Sequence, residues 1–182
     1  MKKTSALAFG GMTAALYAAL TIIPALIPAV GTLLYGPIQF RLSEMLCVLP
    51  YFVPGSAWGL FAGCVVANAI GTAFGLTMPI DIVVGSLTTL AAALITTKIK
   101  IKWLVPLPAV VLNAVIVGGM LAYLFPIEAL PFWKTFAIFG FQVGLGQTVV
   151  CYGLGLPLLH ILEKRKDIFR SGSDPSETDD IS

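Results

Sequence analysis

The stretch Pro37-Ile38-Gln39-Phe40-Arg41-Leu42-Ser43-Glu44-Met45-Leu46-Cys47-Val48-Leu49-Pro50-Tyr51-Phe52-Val53 decides the fold. Its second half, from Met45 onward, carries no charge, while Arg41 and Glu44 sit in the first half. If it crosses a bilayer the chain has six spans, and if it lies on the surface the chain has five. The basic residues separate the two readings. With a cytoplasmic N-terminus and six crossings, Lys2, Lys3, Lys98, Lys100, Lys102, Lys164, Arg165, Lys166 and Arg170 all lie inside; these are nine of the eleven Lys and Arg residues. Without the crossing, the last two clusters move outside, against the bias of cytoplasmic loops toward Lys and Arg. Six spans with both termini cytoplasmic is therefore the expectation. It puts Arg41, Asp81, Glu128 and Lys134 at or near the outer face.

Composition makes a membrane chain of the rest. Hydrophobic residues are 58%, charged residues only 11%, and mean hydropathy is +0.94, whereas a soluble domain carries about 25% charge. Each crossing needs about 20 residues at 1.5 Å rise. Apolar segments run over 5–27, 37–53, 57–76, 80–97, 103–125 and 132–162, with Pro and Gly between them. The first is too long for the core of a secretory signal, so it is read as a retained helix. The last exceeds a bilayer's need and must tilt, kink or begin at the interface. Trp133 and Trp103 suit the two aromatic belts. The expected organisation is an all-α six-helix transmembrane domain over 1–165, then a polar tail over 166–182 that is too polar to fold. No internal repeat is visible, and a net charge of +2 offers no nucleic-acid stripe.

Catalytic and metal patterns are absent: the chain has no phosphate loop, no His-Glu-x-x-His and no nucleophile elbow. The expectation is no catalytic residue, no metal and no cofactor in this chain. Cys47, Cys64 and Cys151 read as small buried hydrophobes. His160 reads as a contact at the inner end of the last helix. What stands out is polarity where a bilayer makes it expensive. Arg41 and Glu44, three residues apart, share a helix face with Gln39 just ahead. Asn68 lies about 12 Å and Gln142 about 15 Å below the outer ends of their helices at 1.5 Å per residue, and Asn113 lies near the middle. These groups, with Asp81, could converge on an outward substrate pocket roofed by Tyr35 and Trp133. The same amides serve equally as interhelical glue, Arg41 and Glu44 could pair at the headgroups, and Asp81 could simply meet a helix N-terminus. On the first helix Gly11, Ala14, Ala15 and Ala18 form small-x-x-x-small pairs, which admit either a helix of this chain or a partner subunit.

The run from Tyr35 to Pro50, Gln-Phe-Arg-Leu-Ser-Glu above all, resembles the signature of the QueT family, substrate-binding S components of energy-coupling factor (ECF) transporters. The likeness extends over roughly residues 5 to 165. It implies an ECF S-component fold with a short second helix, and uptake of a queuosine precursor of 7-deazaguanine type, such as 7-aminomethyl-7-deazaguanine. It also implies partners: a coupling membrane subunit, docked through an Ala-x-x-x-Ala pattern such as Ala14 and Ala18, and two ATPases that use the ATP. Glu44 suits the donor edge of such a ligand or its aminomethyl cation, and Arg41, Gln39, Asn68 or Gln142 suits O6. A stand-alone facilitator or ion-coupled carrier for a purine-like or vitamin-like solute is the alternative.

Overall fold

The computed structural model describes residues 3–27 and 40–165, with side chains from Leu7 onward in the first stretch. Tyr35, Gln39 and the tail 166–182 lie outside the described residues. Every regular element among the described residues is helical. Five helices are long and apolar enough to cross a membrane: Leu7–Ala25 within the first helix Lys3–Ala25, then Ser56–Ala73, Pro79–Thr96, Lys102–Leu124 and Phe132–Lys164. Between the first two of these stands a short helix, Leu42–Tyr51. In chain order these are the first to sixth helices below, the short one being the second.

The second helix is a 3₁₀ helix of ten residues. At about 2.0 Å per residue it reaches roughly 20 Å, further than ten α-helical residues could. Three residues per turn also sort its side chains into three columns. Ser43, Leu46 and Leu49 turn to the first helix: Thr21 Oγ1 donates to Ser43 Oγ at 2.7 Å, and Leu46 and Leu49 join Tyr17 in one apolar cluster. Met45 and Val48 abut Gly155 of the sixth helix, where an added Cβ would lie 3.3 Å from both Met45 O and Val48 Cγ1. Glu44 and Cys47 make the third column and face the interior of the bundle. A helix buried on all sides has little use for an apolar stripe, and Ser43 to Pro50 are nearly all buried.

Neighbour contacts give the helix directions. A Cβ on Gly59 would strike Gly10 and Thr13, and one on Gly63 would lie 2.7 Å from Ala14 O and 2.8 Å from Tyr17 Cβ. The first and third helices therefore run parallel, touching backbone to backbone as small residues allow. Parallel neighbours need a return between them, and the second helix makes it: Ser43 and Glu44 lie by Thr21 and Tyr17, Leu46 and Leu49 by Phe9 and Thr13. The second helix also runs alongside the sixth, from Cys151 by Glu44 to Leu158 by Leu49. Lys102 Nζ bridges Glu163 Oε2 at 2.7 Å, so the 98–102 loop and the end of the sixth helix share one basic end of the bundle.

Hydroxyls inside the apolar helices are satisfied locally. Thr13, Thr88 and Thr148 bond the carbonyl four residues back, at 2.7–2.8 Å, the usual way a threonine sits in such a span. The fifth and sixth helices each contain a widened π turn, Asn113–Val117 and Cys151–Gly155. The second of these stands just ahead of Pro157, whose missing N–H cannot continue the α ladder. It interrupts the 33-residue sixth helix where the sequence expectation allows a kink. The two helices meet where Gly118 faces Gly140, so closely that a Cβ on Gly118 would fall 2.6 Å from Gly140 Cα.

Gly63→Ala overpacks the contact between the first and third helices and is expected to cost about 1–3 kcal/mol, seen as a lower thermal unfolding midpoint in detergent. Gly11→Ala, where nothing lies within 4 Å of the added Cβ, should leave the midpoint unchanged or raise it. Equal midpoints for both variants would refute the parallel pairing.

Candidate functional site

Arg41 stands just ahead of the second helix in extended conformation, at φ −82° and ψ 100°, and Glu44 lies in its first turn. Both enter the bundle. Glu44 is 2% exposed, and its Oε1 accepts the Tyr17 hydroxyl at 2.5 Å. Arg41 and Glu44 make no direct ion pair among the described residues. The guanidinium instead reaches toward the third and fourth helices: a Cβ on Gly85 would lie 3.3 Å from Asn68 Nδ2 and 3.8 Å from Arg41 Nη1. The bare face of Gly85 thus leaves the room in which these two side chains meet.

Two small hollows adjoin this pair, each of about 10 Å³, enough for about one water. The first is lined by Tyr17, Glu44, Cys47, Leu60, Thr89, Ala92, Ala93 and Ala109. Polar groups are few there, so Glu44 gains little beyond the phenol, and an ionised carboxylate so placed is costly unless a cation shares the space. The second is lined by Arg41, Asn113, Val117, Val143 and Gln147. Apart from Arg41, its residues come from the fifth and sixth helices next to the Gly118 and Gly140 crossing. The two are joined through Cys151, whose thiol lies 3.3 Å from Gln147 Oε1 and 3.5 Å from the Glu44 carbonyl oxygen.

The remaining sequence candidates fall in different places. Asn68 is buried beside Arg41; its Nδ2 donates to Asp81 O at 2.8 Å, while its Oδ1 is buried without a partner. Asp81 is buried, and its Oδ2 accepts the Met78 N–H at 3.0 Å, closing the turn Pro79–Ile82. Asn113 lines the second hollow. Gln142 is half-buried and lines neither hollow, and Trp133 is exposed, with Lys134 Nζ 5.3 Å from its ring centre. Ala14 and Ala18 turn toward the bundle, Ala14 against Gly63, whereas Gly11 and Ala15 are exposed. His160 Nδ1 sits 2.8 Å from Leu156 O on its own helix.

Sequence reading missed Gln147 and Tyr17. Gln147 is five residues past Gln142, about 140° around an α-helix, so depth alone picks the wrong glutamine. Its spacing of four from Val143 and from Cys151 was the available sign of an inward face. Tyr17 could have been found as the hydroxyl level with Glu44 once the first two helices are set antiparallel. No group of three or more His, Cys, Asp or Glu side chains that could hold a metal occurs among the described residues.

The description "QueT transporter" fits residues 7–164 of this chain. The chain belongs to the QueT transporter family. It is also 35% identical over 79 residues to a protein of Lactococcus lactis subsp. cremoris (strain MG1363) named "Queuosine precursor transporter QueT". That match covers 43% of this chain and 44% of the relative, under half the length of each. No solved structure matches. Family and helices together make this QueT family member a multi-pass protein of the bacterial plasma membrane.

Tyr17→Phe removes the hydrogen bond to Glu44 without changing shape. The expected cost is about 1–3 kcal/mol, the price of an unsatisfied buried acceptor, and Tyr17→Phe with Glu44→Gln together should lose less than the sum of the two. A double-mutant cycle on the unfolding midpoint checks this, and strict additivity would contradict it.

Proposed function

We propose that the chain is the substrate-capturing membrane subunit of an ATP-driven uptake system for a queuosine precursor of 7-deazaguanine type, 7-aminomethyl-7-deazaguanine being the natural candidate. The observation that carries this reading is Glu44, a carboxylate buried in a membrane bundle with a phenol for company and a hollow in front of it. A carboxylate in that setting suits a ligand that brings its own positive charge, and an aminomethyl group does so. Arg41 offers donors for a ring carbonyl. The name of the Lactococcus lactis relative points to the same class of solute.

Six membrane spans with both termini in the cytoplasm complete the reading. Parallel first and third helices call for a crossing between them, and the second helix lies in the right direction to make it. The basic end that carries Lys98, Lys100, Lys102, Lys164 and Arg165 suits the cytoplasm. Arg41 and the start of the second helix then lie toward the outside. Neither hollow holds a bicyclic base as it stands, since small-molecule sites take about 300 Å³ or more. Capture on this reading requires the second, fifth and sixth helices to part.

Energy would come from partners, because this chain has no phosphate loop. An apolar groove of about 350 Å³ runs between the first, second and sixth helices, lined by Phe9, Met12, Thr13, Leu16, Leu46, Leu49, Leu158 and Leu162. It suits a helix of a coupling membrane subunit, while Gly11 and Ala15, exposed on another face of the first helix, would allow close approach there. Two ATPase subunits would complete the complex.

The purified chain in nanodiscs is expected to bind 7-aminomethyl-7-deazaguanine, with Glu44→Gln weakening it at least tenfold by calorimetry. Uptake into vesicles should need the coupling subunit, the ATPases and ATP. Binding undiminished in Glu44→Gln would remove the central role given to that carboxylate, and uptake by the chain alone would favour the facilitator.

A further inference from the structure

The hollow beside Arg41 has a polarity pattern of its own, set by bonds outside it. Gln147 turns its Oε1 to the Cys151 thiol at 3.3 Å. A primary amide with its oxygen engaged on one side presents its NH₂ on the other, so Gln147 offers donors where it lines the hollow. Asn113 is held in the opposite sense: its Nδ2 donates to Ala109 O at 2.8 Å, leaving the carbonyl oxygen as the acceptor. Turning Asn113 over would set its oxygen against Ala109 O, whereas turning Gln147 over would make the Cys151 sulfur the acceptor and pass its proton to the Glu44 carbonyl oxygen at 3.5 Å. The fifth and sixth helices hold the pair in one lining, Val117 and Val143 lie on the same faces one turn away, and Arg41 brings donors to the same hollow.

We infer that Gln147 and Asn113 read the lactam edge of the ligand, the neighbouring ring carbonyl and ring N–H, and thereby select a 6-oxo base over its 6-amino counterpart. A lactam presents an acceptor next to a donor, which meets Gln147 and Arg41 on one side and the Asn113 carbonyl on the other. The 6-amino form presents the reverse, a donor next to a bare ring nitrogen. It would set N–H against N–H and lone pair against lone pair, and sites built to hydrogen-bond one pattern reject the other strongly. The two valines bring flat apolar contact to the ring. Cys151 acts as a positioning residue: it touches no ligand, and by donating to Gln147 Oε1 its thiol favours the orientation with the NH₂ toward the ring. This inference rests on the reading of the ligand as a 7-deazaguanine, and it assigns the lactam edge, whose carbonyl neighbours the cationic arm that Glu44 receives.

The test is competition binding on the full chain in nanodiscs, with 7-aminomethyl-7-deazaguanine and its 6-amino analogue that keeps the aminomethyl arm. The wild-type chain is expected to prefer the 6-oxo ligand at least 100-fold. Gln147→Met and Asn113→Leu, similar in volume and without amides, should each reduce that preference at least tenfold, mainly by weakening the 6-oxo ligand. Cys151→Ala should reduce it while leaving the weak binding of the 6-amino analogue intact or improved. A wild-type chain that binds both ligands equally overturns the inference without any variant having to fold, and leaves the deazaguanine reading standing. Preference retained within twofold in folded Gln147→Met and Asn113→Leu overturns it as well. A wild-type chain that binds neither ligand overturns both the inference and the function on which it rests.

Discussion

A single carboxylate in an apolar interior is the constraint around which this bundle is arranged. Leaving Glu44 unsatisfied inside a membrane protein costs several kcal/mol, so a hydroxyl must stand opposite it, and Tyr17 does. That pairing holds the first two helices in antiparallel register. With that register set, Thr21 reaches Ser43 one turn further along, and Leu46 and Leu49 complete the apolar seam. The third helix then packs on the other side of the first through Gly59 and Gly63, where a side chain of any size would force the pair apart. Polar pairing decides the register; close backbone contact supplies the packing.

The same economy governs the other half of the bundle. The fifth and sixth helices approach within backbone contact at Gly118 and Gly140, and each then widens into a π turn. Such turns put an extra residue into the helix and often accompany functional positions. Here the first begins at Asn113 and the second at Cys151, next to the residues that line the hollow beside Arg41. Amides placed there are anchored by Ala109 O on one helix and a cysteine thiol on the other. The Asn113 orientation is built into the scaffold, and that of Gln147 follows the direction of the thiol hydrogen bond.

Much of this was legible in the sequence. Composition alone marks a membrane bundle, and five helices long and apolar enough to cross a membrane are found among the described residues. Arg41, Glu44, Asn68 and Asn113 stand out because intramembrane polarity is rare, and the structure draws them into one region. What the sequence conceals is rotation. Gln142 and Gln147 look alike at the level of depth, and only the face of the helix separates them. Ala14 and Ala15 are adjacent, yet one packs against Gly63 and the other points outward. The 3₁₀ character of the second helix is equally hidden, because a segment buried on every side has no hydrophobic period to betray its pitch. The expectation that Arg41 and Glu44 share one helical face misses because Arg41 lies just outside the helix, in extended conformation.

The threefold columns of the second helix limit how this segment can change its length over evolutionary time. One inserted or deleted residue between Leu42 and Tyr51 turns everything beyond it by about 120°. An insertion would then offer the hollow a leucine where it now has a cysteine, and a deletion would offer it a valine and turn the leucines of the first-helix seam to the sixth helix. Only steps of three keep all three partners served. Related chains should therefore vary freely in the lengths of their loops while this decapeptide stays constant in length.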